Sequence, residues 1–191
     1  MAITINGNGT VTGLSVGGLP DGSVDRDTLA NNAKGSILQV VQATELDDHS
    51  STDASYADVP GLSVAITPAS SSSKFMIFTT VNCASNSRYA AFRLLRDSTH
   101  VGIGNAEGNR HQNSMGIGSN SSNTSDNGVS RNRNFSWLDS PSTASQITYK
   151  LQWSTHYGST AYMYLNRNVG DLDQTYSVRC ASTLTVMEVA G

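Results

Sequence analysis

The sequence predicts an all-β protein, an antiparallel β-sandwich in a jelly-roll-like form. Short runs with apolar residues at alternating positions recur between residues 37 and 189, and this alternation is typical of strands with one buried face. Glycine, proline, serine and asparagine separate the runs, as turns between strands require. No long stretch repeats apolar residues with the 3.6-residue period of a helix, so the predicted sheets must pack on each other.

The clearest predicted strand is 146–154, in which four apolar residues alternate with polar ones. One face of this strand therefore packs on a core and the other meets water. Its apolar positions are Ile147, Tyr149, Leu151 and Trp153. Seven other runs carry β-branched or aromatic residues in a similar alternation. The eight predicted strands are 37–43, 59–67, 74–83, 89–96, 134–139, 146–154, 161–166 and 176–189.

Large apolar side chains are few for a domain of this length. Burial of such side chains is the main force that stabilises a sandwich, so a single subunit with few of them has a small core and little stability of its own. We therefore expect identical copies to share surfaces, although this argument sets no number of subunits. The predicted core residues are Phe75, Ile77, Val81, Phe92, Leu94, Trp137, Leu151, Trp153, Leu184 and Val186.

Two parts are predicted, an N-terminal attachment arm at 1–35 and a β-sandwich head domain at 36–191. The arm alternates small β-forming residues with Asn-Gly and Asp-Gly turns, and it has too few large apolar groups for a core. Residues 25–34 begin with acidic residues and precede Gly35, which predicts one short helix. The apolar side chains of the arm are expected to bind another protein, and they are Ile3, Ile5, Val11, Leu14, Val16 and Leu19.

The sequence Gly-Leu-Ser-Val-Gly-Gly-Leu-Pro-Asp-Gly at 13–22, followed by Asp-Thr-Leu-Ala at 27–30, resembles the amino-terminal module of virion structural proteins of tailed phages, especially those of marine and cyanobacterial hosts. Segments 36–41, 61–64, 138–141 and 181–189 resemble the terminal β-domain of the same tail-fibre-like proteins. The resemblance implies a homotrimer that is assembled in the host cytoplasm and located in the virion. It also implies that the arm binds tail or capsid proteins while the head binds a host surface glycan or protein.

Composition argues against several other classes of function. The 191 residues carry a net charge of -3, with only 12 Lys and Arg residues, so the clustered positive charge that nucleic-acid binding needs is not expected. No apolar run approaches the length of a membrane-spanning helix, and the amino terminus lacks the pattern of a signal peptide. We expect neither nucleic-acid binding nor membrane insertion.

The sequence carries no recognisable catalytic or metal-binding motif. It lacks a Gly-x-Ser-x-Gly elbow, and its four histidines are dispersed. Most acidic residues fall in Ser-, Gly- or Asn-rich stretches, where solvated turn acids are the usual interpretation, so we predict no enzyme, no cofactor and no metal. Three copies of one histidine on a threefold axis remain an open alternative. Cys83 and Cys180 could pair across the sandwich, but assembly in a bacterial cytoplasm favours free, buried thiols.

A polar loop is the first candidate for recognition. Residues 105–127 are crowded with asparagine and serine, and Met115 and Ile117 are nearly their only apolar side chains. We predict that such a loop cannot be buried. Amide groups on a rigid scaffold can hydrogen-bond to sugar hydroxyls. The alternative is a solvated surface loop that has no binding function. The candidate host-binding residues are Asn105, Asn109, His111, Asn113, Asn120 and Asn123.

Tyrosines around a hairpin at 158–159 form the second candidate surface. Tyr162 and Tyr164 share one face of the strand 161–166, while Met163 and Leu165 share the other. If the latter two are in the core, the tyrosines face outwards. We favour a subunit interface made by Tyr157, Tyr162 and Tyr164 over ligand binding.

Three functions are compatible with these features of the sequence. A short fibre or spike that attaches to the host is favoured, because the resemblance is to fibre ends. A capsid decoration or knob protein is the alternative, and a polysaccharide-degrading enzyme is the least favoured.

Overall fold

The computed structural model describes residues 37–86, 89–117, 130–157 and 160–191, and the backbone of two short strands, β1 (Thr4–Ile5) and β2 (Val11–Thr12). The chain divides into two units, Met1–Ser36 and Ile37–Gly191. In the first unit, β1 and β2 pair antiparallel with Ile5 opposite Val11. The predicted helix at 25–34, the boundary at 35/36 and four arm residues lie outside the described residues. These four are Ile3, Leu14, Val16 and Leu19.

The second unit is all-β, as predicted, and no helix occurs among its described residues. It contains two antiparallel sheets. In the first sheet, β6 (Lys74–Ser85) pairs on one edge with β13 (Ser182–Val189) and then β12 (Met163–Leu165), and on its other edge with β10 (Arg131–Asp139). Strands β3 (Ile37–Glu45) and β4 (His49–Ser51) pair with β13 and β12.

The second sheet is built around β11 (Ile147–Ser154). This strand lies between β5 (Ala57–Ile66) and β7 (Ala91–Arg96). The outer edge of β7 pairs with β8 (Thr99–Val101) and with the two-residue strand β9 (Met115–Gly116). The order of the main strands is therefore β5-β11-β7-β8.

One apolar core joins the inner faces of both sheets. Nine of the ten predicted core residues are buried in it, including Phe75 and Val186 from the first sheet and Phe92 and Leu151 from the second. The alternation of β11 is confirmed, because all four of its predicted inward residues are buried. The two sheets thus form a sandwich-like pair of layers.

The prediction for Trp137 is wrong, since this side chain is 41% exposed. Its partner in the register is the buried Ile77, so Trp137 lies on the inner side of the sheet. However, it belongs to β10, which pairs only with β6 among the described strands. Side chains on an outermost strand have neighbours on one side only, and Trp137 stacks on Phe135 with ring centroids 6.4 Å apart.

The polar loop is not wholly solvent-exposed, contrary to prediction. Met115 and Ile117 are buried in the core, and the backbone N–H of Ile117 donates to the carbonyl of Ala90 at 2.9 Å. The ladder with β7 satisfies the backbone polar groups, so these two apolar side chains can enter the core. Residues 118–129 lie outside the described part.

The two cysteines are both free. Cys83 is buried, and burial raises the pKa of its thiol to about 12, so the reactive thiolate is scarce near neutral pH. Cys180 is only half-buried, which differs from the predicted core position. It lies in the segment before β13 that was predicted as strand, whereas regular pairing of β13 begins at Ser182.

Candidate functional site

A cluster of polar and aromatic side chains lies at one end of the outer face of the second sheet. We call it the Tyr56 cluster, and its five members come from four separate parts of the chain. Tyr56 immediately precedes β5, Arg93 is on β7, His111 and Asn113 are in the loop before β9, and His156 follows β11.

The Tyr56 hydroxyl is the centre of the hydrogen bonding. It donates to Oδ1 of Asn113 and lies 3.1 Å from Nε2 of His156. The imidazole of His156 also stacks on that of His111, with ring centroids 4.0 Å apart and an interplanar angle of 11°. These contacts attach the polar loop to the end of β11.

Arg93 connects the cluster to the outer face of the sheet. Its guanidinium lies 3.6 Å above the Tyr56 ring, within the range of a cation–π interaction. It also donates twice to Oε1 of Gln152, at 2.9 and 2.7 Å, and the Gln152 amide donates to Asp58 at 2.6 Å. Gln152 pairs in register with Arg93 on β7 and, just past an irregularity in the β5 ladder, with Asp58, so strand pairing places these three side chains in one row.

The position of His156 is set by the backbone. The residue has a φ of +54°, in the left-handed region that residues other than glycine seldom adopt. The hydroxyl of Ser154 accepts from the His156 backbone N–H at 3.0 Å and lies 3.3 Å from its Nδ1. This local turn directs the ring towards Tyr56.

The electrostatics around His156 favour its neutral imidazole. Burial lowers the pKa of His156, and nearby His111 and Arg93 lower it further. Burial and then Arg93 also lower the pKa of His100. Neutral imidazole keeps one donor and one acceptor nitrogen, which suits contact with hydroxyl groups.

Two exposed tyrosines extend the site. Tyr157 directly follows His156 and stacks on Tyr89, with ring centroids 5.7 Å apart. Their side chains are 66% and 52% exposed. Aromatic rings of this kind offer apolar contact area at a surface that is otherwise polar.

The arrangement around Ser154 and His156 is suited to positioning, not to nucleophilic attack. Ser154 is buried, and its hydroxyl donates to the carbonyl of Ala54 at 2.7 Å. A nucleophile needs access to substrate, which this hydroxyl lacks. Among the residues that the structure describes, no group of three His, Cys, Asp or Glu side chains could hold a metal ion.

The predicted host-binding residues are divided by the structure. His111 and Asn113 belong to the Tyr56 cluster, whereas Asn105 and Asn109 are exposed farther out in the same loop. Asn120 and Asn123 lie outside the described residues.

The three predicted interface tyrosines do not form one group of stacked rings. Tyr162 and Tyr164 stack on each other at 5.9 Å, while Tyr157 stacks on Tyr89. Met163 and Leu165 are fully buried, so the first two tyrosines face away from the core, as expected. Their role at a subunit interface stays a prediction.

A separate charged group near β12 neutralises itself. Arg167 contacts Asp48 at 3.1 Å and Asp171 at 2.9 Å, and Arg179 pairs with the same two carboxylates. The two arginines are also joined by a backbone bridge. Two positive and two negative charges leave no net charge for a ligand, so we interpret this group as a structural connection.

Sequence reasoning missed Tyr56, Tyr89, Arg93 and Gln152. Arg93 and Gln152 occupy outward-facing positions of strands in which polar and apolar residues alternate, and this alternation predicts exposure but not a function. Tyr56 and Tyr89 precede strands, and no local signal brings them to the polar loop.

No protein-family model matches the chain, and no curated protein matches it. In the described part of the chain, no helix is long and apolar enough to cross a membrane.

Proposed function

We propose that this protein is an attachment protein that binds a surface glycan through the Tyr56 cluster and the Tyr89–Tyr157 pair. One observation carries the proposal. The polar loop and the segment after β11, which the sequence marks as separate candidates, meet at the stacked rings of His111 and His156.

The chemistry of the cluster suits a sugar. Amide, phenol and neutral imidazole groups can exchange hydrogen bonds with sugar hydroxyls, and the exposed tyrosine rings can contact the apolar C–H face of a pyranose. Arg93 is already engaged by Gln152 and Tyr56, so the site offers little free positive charge. A weakly charged glycan therefore fits better than a strongly anionic one.

The biological setting of this proposal is a tailed-phage virion. The resemblance of segment 13–22 and of the head segments to fibre-like proteins supports a short trimeric fibre or spike, in which a jelly-roll-like head is carried by the arm at 1–35. The apolar arm residues, among them Ile5 and Val11, would bind a tail or capsid protein. Capsid decoration is the competing location, and immunogold labelling of intact particles distinguishes the two.

The binding site is tested by exchange of one exposed tyrosine. The full chain is applied to a panel of purified bacterial lipopolysaccharides and capsular polysaccharides, and affinities are measured for the wild type and Tyr157→Ala. Loss of an aromatic contact is expected to weaken binding about tenfold, which corresponds to about 1.4 kcal/mol. Tyr176→Ala is the matched control, because it removes a tyrosine of similar exposure that lies outside both the site and the predicted subunit interface.

The control should bind as the wild type does. Equal losses in the two variants would assign the effect to general perturbation and would contradict the site. A folded wild type that binds no glycan of the panel would contradict the proposed function itself.

A further inference from the structure

The outer face of the first sheet carries an apolar row that crosses four strands. In the pairing of β3, β13, β6 and β10, one residue of each strand lies opposite one residue of the neighbouring strand, so the four residues form a row across the sheet. Two of the four, Val40 and Leu138, are 55% and 48% exposed. The row consists of Val40, Met187, Met76 and Leu138.

The neighbouring rows make this an extended surface. The next row places the 44%-exposed Phe78 beside Thr185. On the other side of the apolar row, Val189 aligns with Ile37 and Lys74. By register, Lys74 at one end is the only charged side chain on this face among the described residues of the four strands.

Three polar side chains of the face are hydrogen-bonded to one another. Thr185 donates to Oε1 of Gln42 at 2.8 Å, and the Gln42 amide donates to the Thr44 hydroxyl at 3.1 Å. These two hydrogen bonds would be kept on burial in an interface, which lowers the desolvation cost of these three groups. Identical faces brought together would also meet no repulsion between like charges, apart from Lys74.

We propose that this face is where copies of the chain associate, with three copies of the apolar row surrounding a threefold axis. The proposal rests on the trimer of the proposed function and specifies its interface. Each copy covers the row with the rows of two neighbours, so the β3 side of one copy adjoins the β10 side of the next.

The dimensions of the face fit this arrangement. Strands lie about 4.8 Å apart, so four strands are roughly 14 to 19 Å wide. Three faces of that width form an equilateral triangle around the threefold axis, and the distance from each sheet to the axis is then roughly 4 to 6 Å. Packed sheets lie ~10 Å apart, so each sheet contributes about 5 Å of side chains, and the two distances agree. With strands about 30 Å long, each face offers roughly 500 Å² in projection, so a closed trimer covers roughly 1,500 Å² over its three contacts. One pair of copies alone would cover only about 500 Å², less than the ~1,000 Å² expected of a stable two-partner interface, so the association depends on closure of the ring by the third copy.

The oligomeric state is tested by sedimentation velocity on the full chain, the variant Met187→Asp and the control Ala65→Asp. Ala65 is an exposed residue that faces outwards on β5 of the other sheet. The wild type and control are expected at three times the chain mass of 20.2 kDa, and Met187→Asp at the mass of one chain. Circular dichroism checks that each variant retains strand structure.

Interchain disulfides test the interface without loss of the fold. In a Cys180→Ser background, Val40→Cys and Leu138→Cys are combined. These positions lie three strand spacings apart within one chain, too far for an intrachain bond, so the expected products after oxidation are linked dimers and trimers. The control pair Ser63→Cys and His100→Cys, at the two ends of a four-strand row on the other sheet, should remain single chains.

The outcomes separate the two claims. A trimeric wild type whose Val40→Cys, Leu138→Cys form gives no more cross-linking than the control pair would overturn this interface but leave the trimer in place. A trimer that persists in folded Met187→Asp would do the same. A wild type that sediments as one chain would overturn both the trimer and this interface, whereas glycan binding is judged by the separate panel assay.

Discussion

His156 is the residue on which the geometry of the candidate site depends most. Its ring contacts Tyr56 and His111, and its backbone is held in the left-handed region by Ser154. A β-branched or bulky residue at this φ would be strained. The side chain therefore couples a local turn to the placement of the polar loop.

The lowered pKa of His156 predicts a dependence of stability on pH. Because the pKa is below its ordinary value in the folded chain, the unfolded chain binds the proton first as the pH falls. The contribution to stability is thus complete above about pH 6.5, the ordinary pKa of histidine, and declines as the pH drops towards the folded-state value. Urea unfolding between pH 7.5 and 5 measures this decline.

The variant His156→Gln isolates the contribution of this histidine. Its stability should fall less between pH 7.5 and 5 than that of the wild type, because one titrating group has been removed. A pH dependence identical to that of the wild type would show that His156 does not carry the effect.

At the scale of elements, the segment after β8 depends on a glycine. Gly102 has a φ of +61°, and a Cβ there would lie 2.5 Å from Cζ of Phe135 and 3.0 Å from Cδ2 of Trp137. Gly102→Ala therefore combines backbone strain with a clash against β10, and it should destabilise the fold by about 1 to 3 kcal/mol in urea unfolding.

Gly104 provides a matched control two residues later. A Cβ at this position meets no atom within 4 Å, so Gly104→Ala should change the unfolding free energy by less than about 0.5 kcal/mol. Equal effects of the two substitutions would mean that the contact with Phe135 and Trp137 does not determine the path of this segment.

The elements that sequence reasoning found are those whose signal is local. Strands β6 and β11 carry long alternations of large apolar residues, and both were predicted close to their observed limits. The two- and three-residue strands β4, β8 and β9 carry no such pattern, because a short pairing depends on the neighbouring strand. Trp137 was misplaced for a related reason, since alternation gives the face of a residue but not its distance from the edge of the sheet.

The candidate site was predictable only in pieces. His111, Asn113 and Tyr157 were named from composition, but their meeting with Tyr56 requires the pairing of β5, β11 and β7. The residues that flank each of these positions in the sequence give no indication that they meet. The tyrosines at 162 and 164 illustrate the contrary case, because their spacing of two on one strand predicts a shared face, and their rings stack.

At the scale of the whole head unit, the two outer faces differ in chemistry. Apart from Lys74, strands β3, β13, β6 and β10 of the first sheet present uncharged side chains around an apolar row, whereas the second sheet presents the Asp58–Gln152–Arg93 row that leads to the Tyr56 cluster. We propose that the former joins copies and the latter meets the glycan. Such a division would leave the recognition surface open in the assembled particle.

Hydrogen exchange of the full chain, with and without the best-binding glycan of the panel, locates the surface that the glycan covers. If the glycan binds at the Tyr56 cluster, we expect added protection at residues 56–58, 89–93, 111–113 and 154–157, and none at 162–167, on the first sheet. Protection confined to 162–167, or binding without any change at the Tyr56 cluster, would contradict this binding site.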